Sequence, residues 1–208
     1  MTAPGSKGKD KLRKYARLVL KENRIRNITG ASSLDEIENH IKQCLSFCEI
    51  IKGEKGIDIG SGNGLPGLVA AIVYPEKKIY LLDSAFKKIN FLSMVKRKCD
   101  IENLFLVKGR AEILGRLNEY REKFDFAVAR ALAPMKISAE LCLPFVKKGG
   151  RFYVMSGSKC RKEIEDSGDI IKKNGGLVES STRRGYAIIK KNSETPDTYP
   201  RKWKKICS

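Results

Sequence analysis

Gly56-Ile57-Asp58-Ile59-Gly60-Ser61-Gly62-Asn63-Gly64-Leu65-Pro66-Gly67-Leu68-Val69-Ala70-Ala71-Ile72-Val73 runs from a short apolar segment through an acid and a burst of glycines into a second apolar segment behind a proline. The order reads as strand, tight loop, helix. Pro66 suits a first helical turn, where a missing N–H leaves nothing unpaired. The glycines let the loop take positive φ and bring a ligand against bare backbone. A nucleotide-like ligand at the start of the helix is the first hypothesis.

The flanking sequence supplies the rest of an α/β architecture. Upstream, Leu12, Tyr15, Ala16 and Val19 recur at helical spacing within Asp10 to Asn23, behind a basic tail, Met1 to Lys9, that reads as disordered. Ser33-Leu34-Asp35-Glu36 predicts a capping box, with Ser33 as cap and Glu36 reaching back to the Ser33 amide. The helix it opens carries Ile37, Ile41, Cys44, Leu45, Cys48 and Ile51 on one face. Downstream, strands at 78–83, 104–107, 124–130 and 151–155 alternate with helices at 85–98, 135–145 and 159–173. Two closing strands, 177–181 and 186–190, flank Arg183-Arg184-Gly185. Strands alternating with helices predict a mostly parallel sheet covered on both faces. The expected division is an N-terminal basic tail and helical extension at 1–52, a Rossmann-like domain at 53–193 and a basic C-terminal tail at 194–208.

Composition narrows the class. The chain has 208 residues, 42 Lys+Arg against 24 Asp+Glu, and a formal net charge of +18, which points to a polyanionic partner, most often nucleic acid. No apolar run approaches a membrane span, and no secretory signal opens the chain, so the expected compartment is the cytoplasm. The six cysteines include no CxxC pair and read as reduced structural thiols. His40, Cys44 and Cys48 fall at i, i+4 and i+8. One helix supplying three ligands with no fourth nearby is poor zinc spacing, so no metal is expected.

Gly62-Asn63-Gly64-Leu65-Pro66-Gly67 is literally GxGxxG, and Asp83 lies about 20 residues on, where a ribose-binding acid is expected. That match alone allows NAD, and a tight turn with no ligand is the bland alternative. Asp58 shifts the balance. A carboxylate at the mouth of the loop would repel a pyrophosphate, whereas S-adenosylmethionine carries a sulfonium and an ammonium that an acid favours. Asp58-x-Gly60-x-Gly62-x-Gly64 then faces the methionine end, Asp83 takes the ribose hydroxyls, and Ala111-Glu112 meets the adenine.

With these residues in place, the chain resembles the small-subunit ribosomal RNA guanine-N7 methyltransferases, the glucose-inhibited division protein B family. The resembling stretches are Asn27-Ile28-Thr29, His40-Ile41, Asp58 to Gly67, Leu81-Leu82-Asp83-Ser84, Arg110-Ala111-Glu112, Ala129-Arg130-Ala131, Gly150-Arg151-Phe152-Tyr153 and Tyr199-Pro200-Arg201-Lys202. They span nearly the whole chain in the family's order. The resemblance implies a class I S-adenosylmethionine-dependent methyltransferase fold, action on one guanine of small-subunit rRNA or the assembled subunit, and cofactor contacts from Gly60, Leu65, Ala111, Glu112 and Arg130. The chain departs from the pattern around His40, where Asn39 precedes it and Gln43-Cys44 follow, and after Lys202, where Trp203-Lys204-Lys205 stand in place of a glycine–proline run.

The chemistry agrees with what the sequence lacks. Guanine N7 is a lone-pair acceptor, so its methylation removes no proton and needs no general base; alignment and electrostatics suffice. Arg130-Ala131-Leu132-Ala133-Pro134 follows the fourth strand in place of an amino-methylation motif, and Cys142-Leu143-Pro144 is not a cytosine-C5 nucleophile arrangement. Arg130, at the strand end beside the expected transfer point, is the candidate catalytic positioning residue. Arg110 and Arg151, taken as analogous strand-edge residues, and Arg201 and Lys202 in the tail are candidate RNA contacts, with Trp203 able to stack on a base. An NAD-dependent oxidoreductase and a non-catalytic RNA-binding assembly factor are the competing functions. A monomer is expected.

Overall fold

The first five strands run parallel, so the sheet collects their carboxyl ends along one edge. The computed structural model describes residues 4–182 and 185–206, so Met1–Ala3 of the basic tail, Arg183-Arg184 and Cys207-Ser208 lie outside the described residues. The strands are β1 (Lys55–Ile59), β2 (Lys78–Asp83), β3 (Leu104–Lys108), β4 (Phe124–Arg130), β5 (Val146–Met155), β6 (Gly176–Ser181) and β7 (Tyr186–Lys191). They form one sheet in the order β3-β2-β1-β4-β5-β7-β6. β1 to β5 run parallel, and β7 enters antiparallel between β5 and β6. The order reverses between β1 and β4, and at such a switch point a crevice opens outside the carboxyl ends.

Alternation along β4 shows how the sheet divides the core. Phe126 and Val128 point to one side with Tyr153, under α1 (Ser6–Arg26), α2 (Leu34–Cys48), α3 (Gly67–Val73) and α4 (Phe86–Lys98). Ala127 and Ala129 point to the other with Phe152 and Val154, beneath α6 (Met135–Cys142) and α7 (Cys160–Lys173). The short α5 (Ala111–Leu114) follows β3, and α8 (Trp203–Ile206) closes the described chain.

The N-terminal helix begins earlier than its periodicity indicates. The helix covers Ser6 to Lys9, part of the expected disordered tail, because Lys9 N–H bonds the Gly5 carbonyl and Gly8 lies against Ile72 of α3. Ser33 caps α2 as expected, its hydroxyl accepting from Glu36 N–H at 3.2 Å. The return bond goes elsewhere: the Glu36 carboxylate accepts from the Ser32 amide at 2.6 Å, not from Ser33. Helix α3 starts at Gly67, one residue later than Pro66 implied.

The C-terminal segment is a strap pinned to the domain. Arg116 donates to the carbonyls of Asp197, Thr198 and Pro200, and Arg121 to those of Thr195, Pro196 and Tyr199. Arg201 makes a forked pair with Glu140 of α6, Nε at 2.9 Å and Nη2 at 2.7 Å. Glu140 is fully buried, so removing its partner strands a carboxylate. Arg201→Ala is expected to cost about 2 kcal/mol, below the usual figure for a broken buried pair because Arg201 itself is partly solvated and its backbone N–H still serves Glu140. Urea denaturation measures it, and an unchanged midpoint would refute the pinning role.

Candidate functional site

The glycine loop is organised by two carboxylates. Asp58, at the carboxyl end of β1 and with no solvent exposure, accepts the Gly67 N–H at 2.8 Å through Oδ2. Gly67 permits that contact: a Cβ there would sit 2.7 Å from the Asp58 Cβ and collide with Leu81, pushing α3 away. Asp58 Oδ1 is buried with no hydrogen-bond partner among the described residues. Burial pushes its pKa up to about 7, with the Gly67 bond and Arg130 working against the rise and Asp83 adding to it. The second carboxylate, Asp83 at the end of β2, accepts from Gly62 N–H and Ala85 N–H, each at 2.8 Å. Gly60 takes φ +72°, and a side chain there would meet Leu132 at 2.5 Å.

These contacts test which ligand fits. A pyrophosphate needs free loop amides, yet Gly62 N–H and Gly67 N–H already serve carboxylates, and both acids would repel it. Beside the loop lies a slot of about 100 Å³ with apolar walls from Ile59, Leu82, Leu132 and Leu141, and with Gly60, Ser84 and Arg110 to Glu112 at its rim. Its size and apolar walls suit a flat ring such as a purine. Ala111 and Glu112, which open α5, are buried at this slot, and Glu112 is paired with Arg110 at 2.9 Å. Leu65 is buried under the loop.

One loop joins this slot to a second cavity. Arg130-Ala131-Leu132-Ala133 leaves β4 with Ala131 at φ +50°, a conformation that L side chains rarely adopt. Leu132 and Ala133 border the apolar slot, whereas Arg130 and Ala131 border a cavity of about 600 Å³ with Lys42, Gln43, Met155 and Tyr186. Arg130 is half-buried, and none of the carboxylates that hold Arg110, Arg151 and Arg201 holds it. Its charge reaches Asp58, Tyr15 and His40. Burial lowers the pKa of His40 and Arg130 lowers it further, against an opposing Glu36, so the ring is neutral at pH 7.

The remaining sequence candidates fall in different places. Arg110 stands at the slot. Arg151 is not at the analogous strand edge: it pairs in register with Phe126, four residues before Arg130 meets Met155, and forks onto Glu179. Arg201 is committed to Glu140, and Lys202 is exposed beside Trp203. Cys44 and Cys48 are buried in the core beneath α2, and burial raises both thiols, Cys44 to about 12. Cys142 is likewise fully buried. Sequence reasoning missed Tyr15, whose hydroxyl donates to the Asn63 carbonyl at 3.0 Å and ties α1 to the glycine loop. Its only trace in the sequence is a polar-tipped residue on an otherwise apolar stripe.

The sheet order, the switch point and the acid-tipped strands around the slot define a class I methyltransferase fold. The Methanococcus jannaschii fibrillarin pre-rRNA processing protein shares that fold, with TM-score 0.54 over 67% of each chain at 14% identity. The sequence model described as rRNA small subunit methyltransferase G (GidB) matches residues 8–185. The chain is 41% identical to ribosomal RNA small subunit methyltransferase G of Acetivibrio thermocellus, covering 88% of this chain and 81% of that one. It is 37% identical to the Caldicellulosiruptor bescii protein of the same name, covering 93% and 88%. The chain therefore belongs to the rRNA small subunit methyltransferase G family, and its cofactor is S-adenosylmethionine. The dinucleotide alternative falls with that assignment.

Proposed function

We propose that this chain methylates N7 of a guanine in small-subunit ribosomal RNA, acting in the cytoplasm as a monomer. The observation that carries the reading is the Arg130–Ala133 loop, which borders the purine slot on one side and a larger basic cavity on the other. S-adenosylmethionine supplies an electrophilic methyl group, and Gly60, Gly62, Gly64, Leu65, Asp83, Ala111 and Glu112 are the residues that would hold it. Arg130 holds the incoming nucleotide through an acceptor, guanine O6 or a phosphate oxygen, and leaves N7 free to attack. N7 loses no proton, so the neutral His40 nearby is not required as a base. Positive charge passes onto the base as it reacts, and the Asp58 carboxylate offsets it. No described helix is long and apolar enough to cross a membrane. Side chains cannot read the narrow major groove of A-form RNA, so the target guanine lies in a loop or non-canonical turn.

The outer face of α1 supports an RNA partner. Lys7, Lys14, Arg17, Lys21 and Arg24 are exposed on a stripe opposite the buried Leu12, Tyr15 and Val19. If about six phosphates are neutralised, log Kd should change with log salt at a slope of magnitude about 4 to 5. A flat salt dependence in filter binding would remove α1 from the interface. The function itself is tested with a labelled methyl donor offered to naked small-subunit rRNA, assembled small subunits and tRNA. Label is expected in the small-subunit RNA alone, recovered as 7-methylguanosine after nuclease digestion. No label in any substrate would leave only a binding role.

A further inference from the structure

We infer that Trp203, presented by the C-terminal strap, is the outer wall of the adenosine pocket and packs on the base of the bound cofactor. The inference rests on the methyl-donor assignment of that pocket and adds a residue that neither the glycine motif nor the strand ends supply. Trp203 lines the same 100 Å³ slot as Gly60, Ser84, Ala111 and Leu132, although it lies about 70 residues from the nearest of them. The Arg110 guanidinium lies over its ring, 4.8 Å from the centroid, so the indole is oriented by a residue of the slot's own rim. Its exposure is 41%, high for the largest aromatic side chain.

The strap is built to hold that position. Every carbonyl from Thr195 to Pro200 accepts from Arg116 or Arg121, the Arg201–Glu140 fork fixes the next turn, and Ile206 is buried beyond it. An indole fixed at the mouth of an apolar slot offers a purine a stacking face that the leucine walls lack.

Trp203 is the chain's single tryptophan, so its fluorescence reports this position alone. The full-length protein would be titrated with S-adenosylhomocysteine by fluorescence and calorimetry in parallel, and then with adenosine and with methionine. We expect a fluorescence change that saturates at the calorimetric Kd, is reproduced by adenosine and is absent with methionine. Trp203→Ala should weaken S-adenosylhomocysteine about tenfold, and Trp203→Phe, which keeps a ring, by about threefold or less, with thermal melts confirming that both variants fold. Calorimetric saturation without a fluorescence change, or a Trp203→Ala affinity within about twofold of the parent, overturns the inference and leaves the methyltransferase reading standing. Absence of any binding heat overturns the cofactor reading as well.

Discussion

Arg130→Ala is expected to lower kcat/KM for small-subunit RNA by at least about a hundredfold while changing folding stability by about 1 kcal/mol or less. The two effects separate because of how this arginine is held. Arg201 neutralises a fully buried glutamate, so its loss strands a charge. Among the described residues Arg130 has no such paired carboxylate and instead faces the cavity beside the apolar slot, so its removal breaks no buried ion pair. Its energy is therefore available to a substrate. A readout independent of turnover comes from His40, the single histidine of the chain. Arg130 holds the pKa of His40 down, so proton NMR should show that titration moving up toward the ordinary value in Arg130→Ala, with the part due to burial remaining. Arg130→Lys keeps the charge and loses the fork: His40 should stay near its parental value while activity still falls. Parental turnover in the alanine variant would exclude Arg130 from the reaction. An unmoved His40 would show that its charge does not reach α2.

What the sequence makes legible here is local, and what it hides is long-range. The strand–glycine–helix unit is written in fewer than twenty consecutive residues, and Asp58, Asp83 and Arg130 each sit at the end of an apolar run that names its own strand. Fold class follows from that alternation. The capping box at Ser33 is also local, and only the partner of Glu36 slips by one residue. Arg151 illustrates the limit. Its strand is evident, but which end of β5 meets the cleft depends on register against β4, and β5 begins at Val146, through Gly149-Gly150, well before the expected start. Tyr15 reaches Asn63, Arg201 reaches Glu140, and Arg116 and Arg121 gather a strap 74 to 84 residues away. No periodicity encodes such pairings. A run of Tyr-Pro-Arg-Lys-Trp-Lys-Lys reads as a basic tail until the buried glutamate that holds its arginine is seen.

Asp58→Asn should invert the order of stability between pH 4 and pH 8. The native pKa of Asp58 is raised to about 7, above its ordinary value, so the folded state binds the proton more tightly than the unfolded chain. Below about pH 4 both states are protonated and the group contributes no pH dependence. From about pH 4 to pH 7 the unfolded chain gives up its proton while the folded chain keeps it, and stability falls as pH rises. Above pH 7 the loss levels off at roughly 4 kcal/mol, three pH units at 1.36 kcal/mol each. Asparagine does not titrate, and its oxygen can still accept the Gly67 N–H. Its amide nitrogen, however, takes the place of the unpartnered Oδ1 and costs about 1–2 kcal/mol. Denaturant melts should thus find the variant weaker than the parent at pH 4, close to it near pH 5 and stronger at pH 8. In the parent, the preference for S-adenosylmethionine over S-adenosylhomocysteine should grow as pH rises through 7, because the two share an ammonium and differ in the sulfonium. Asp58→Asn should flatten that ratio. A variant that keeps both the parental ratio and its pH dependence would show that Asp58 serves α3 alone, and that the acid before the glycines is a helix cap with no part in choosing the ligand.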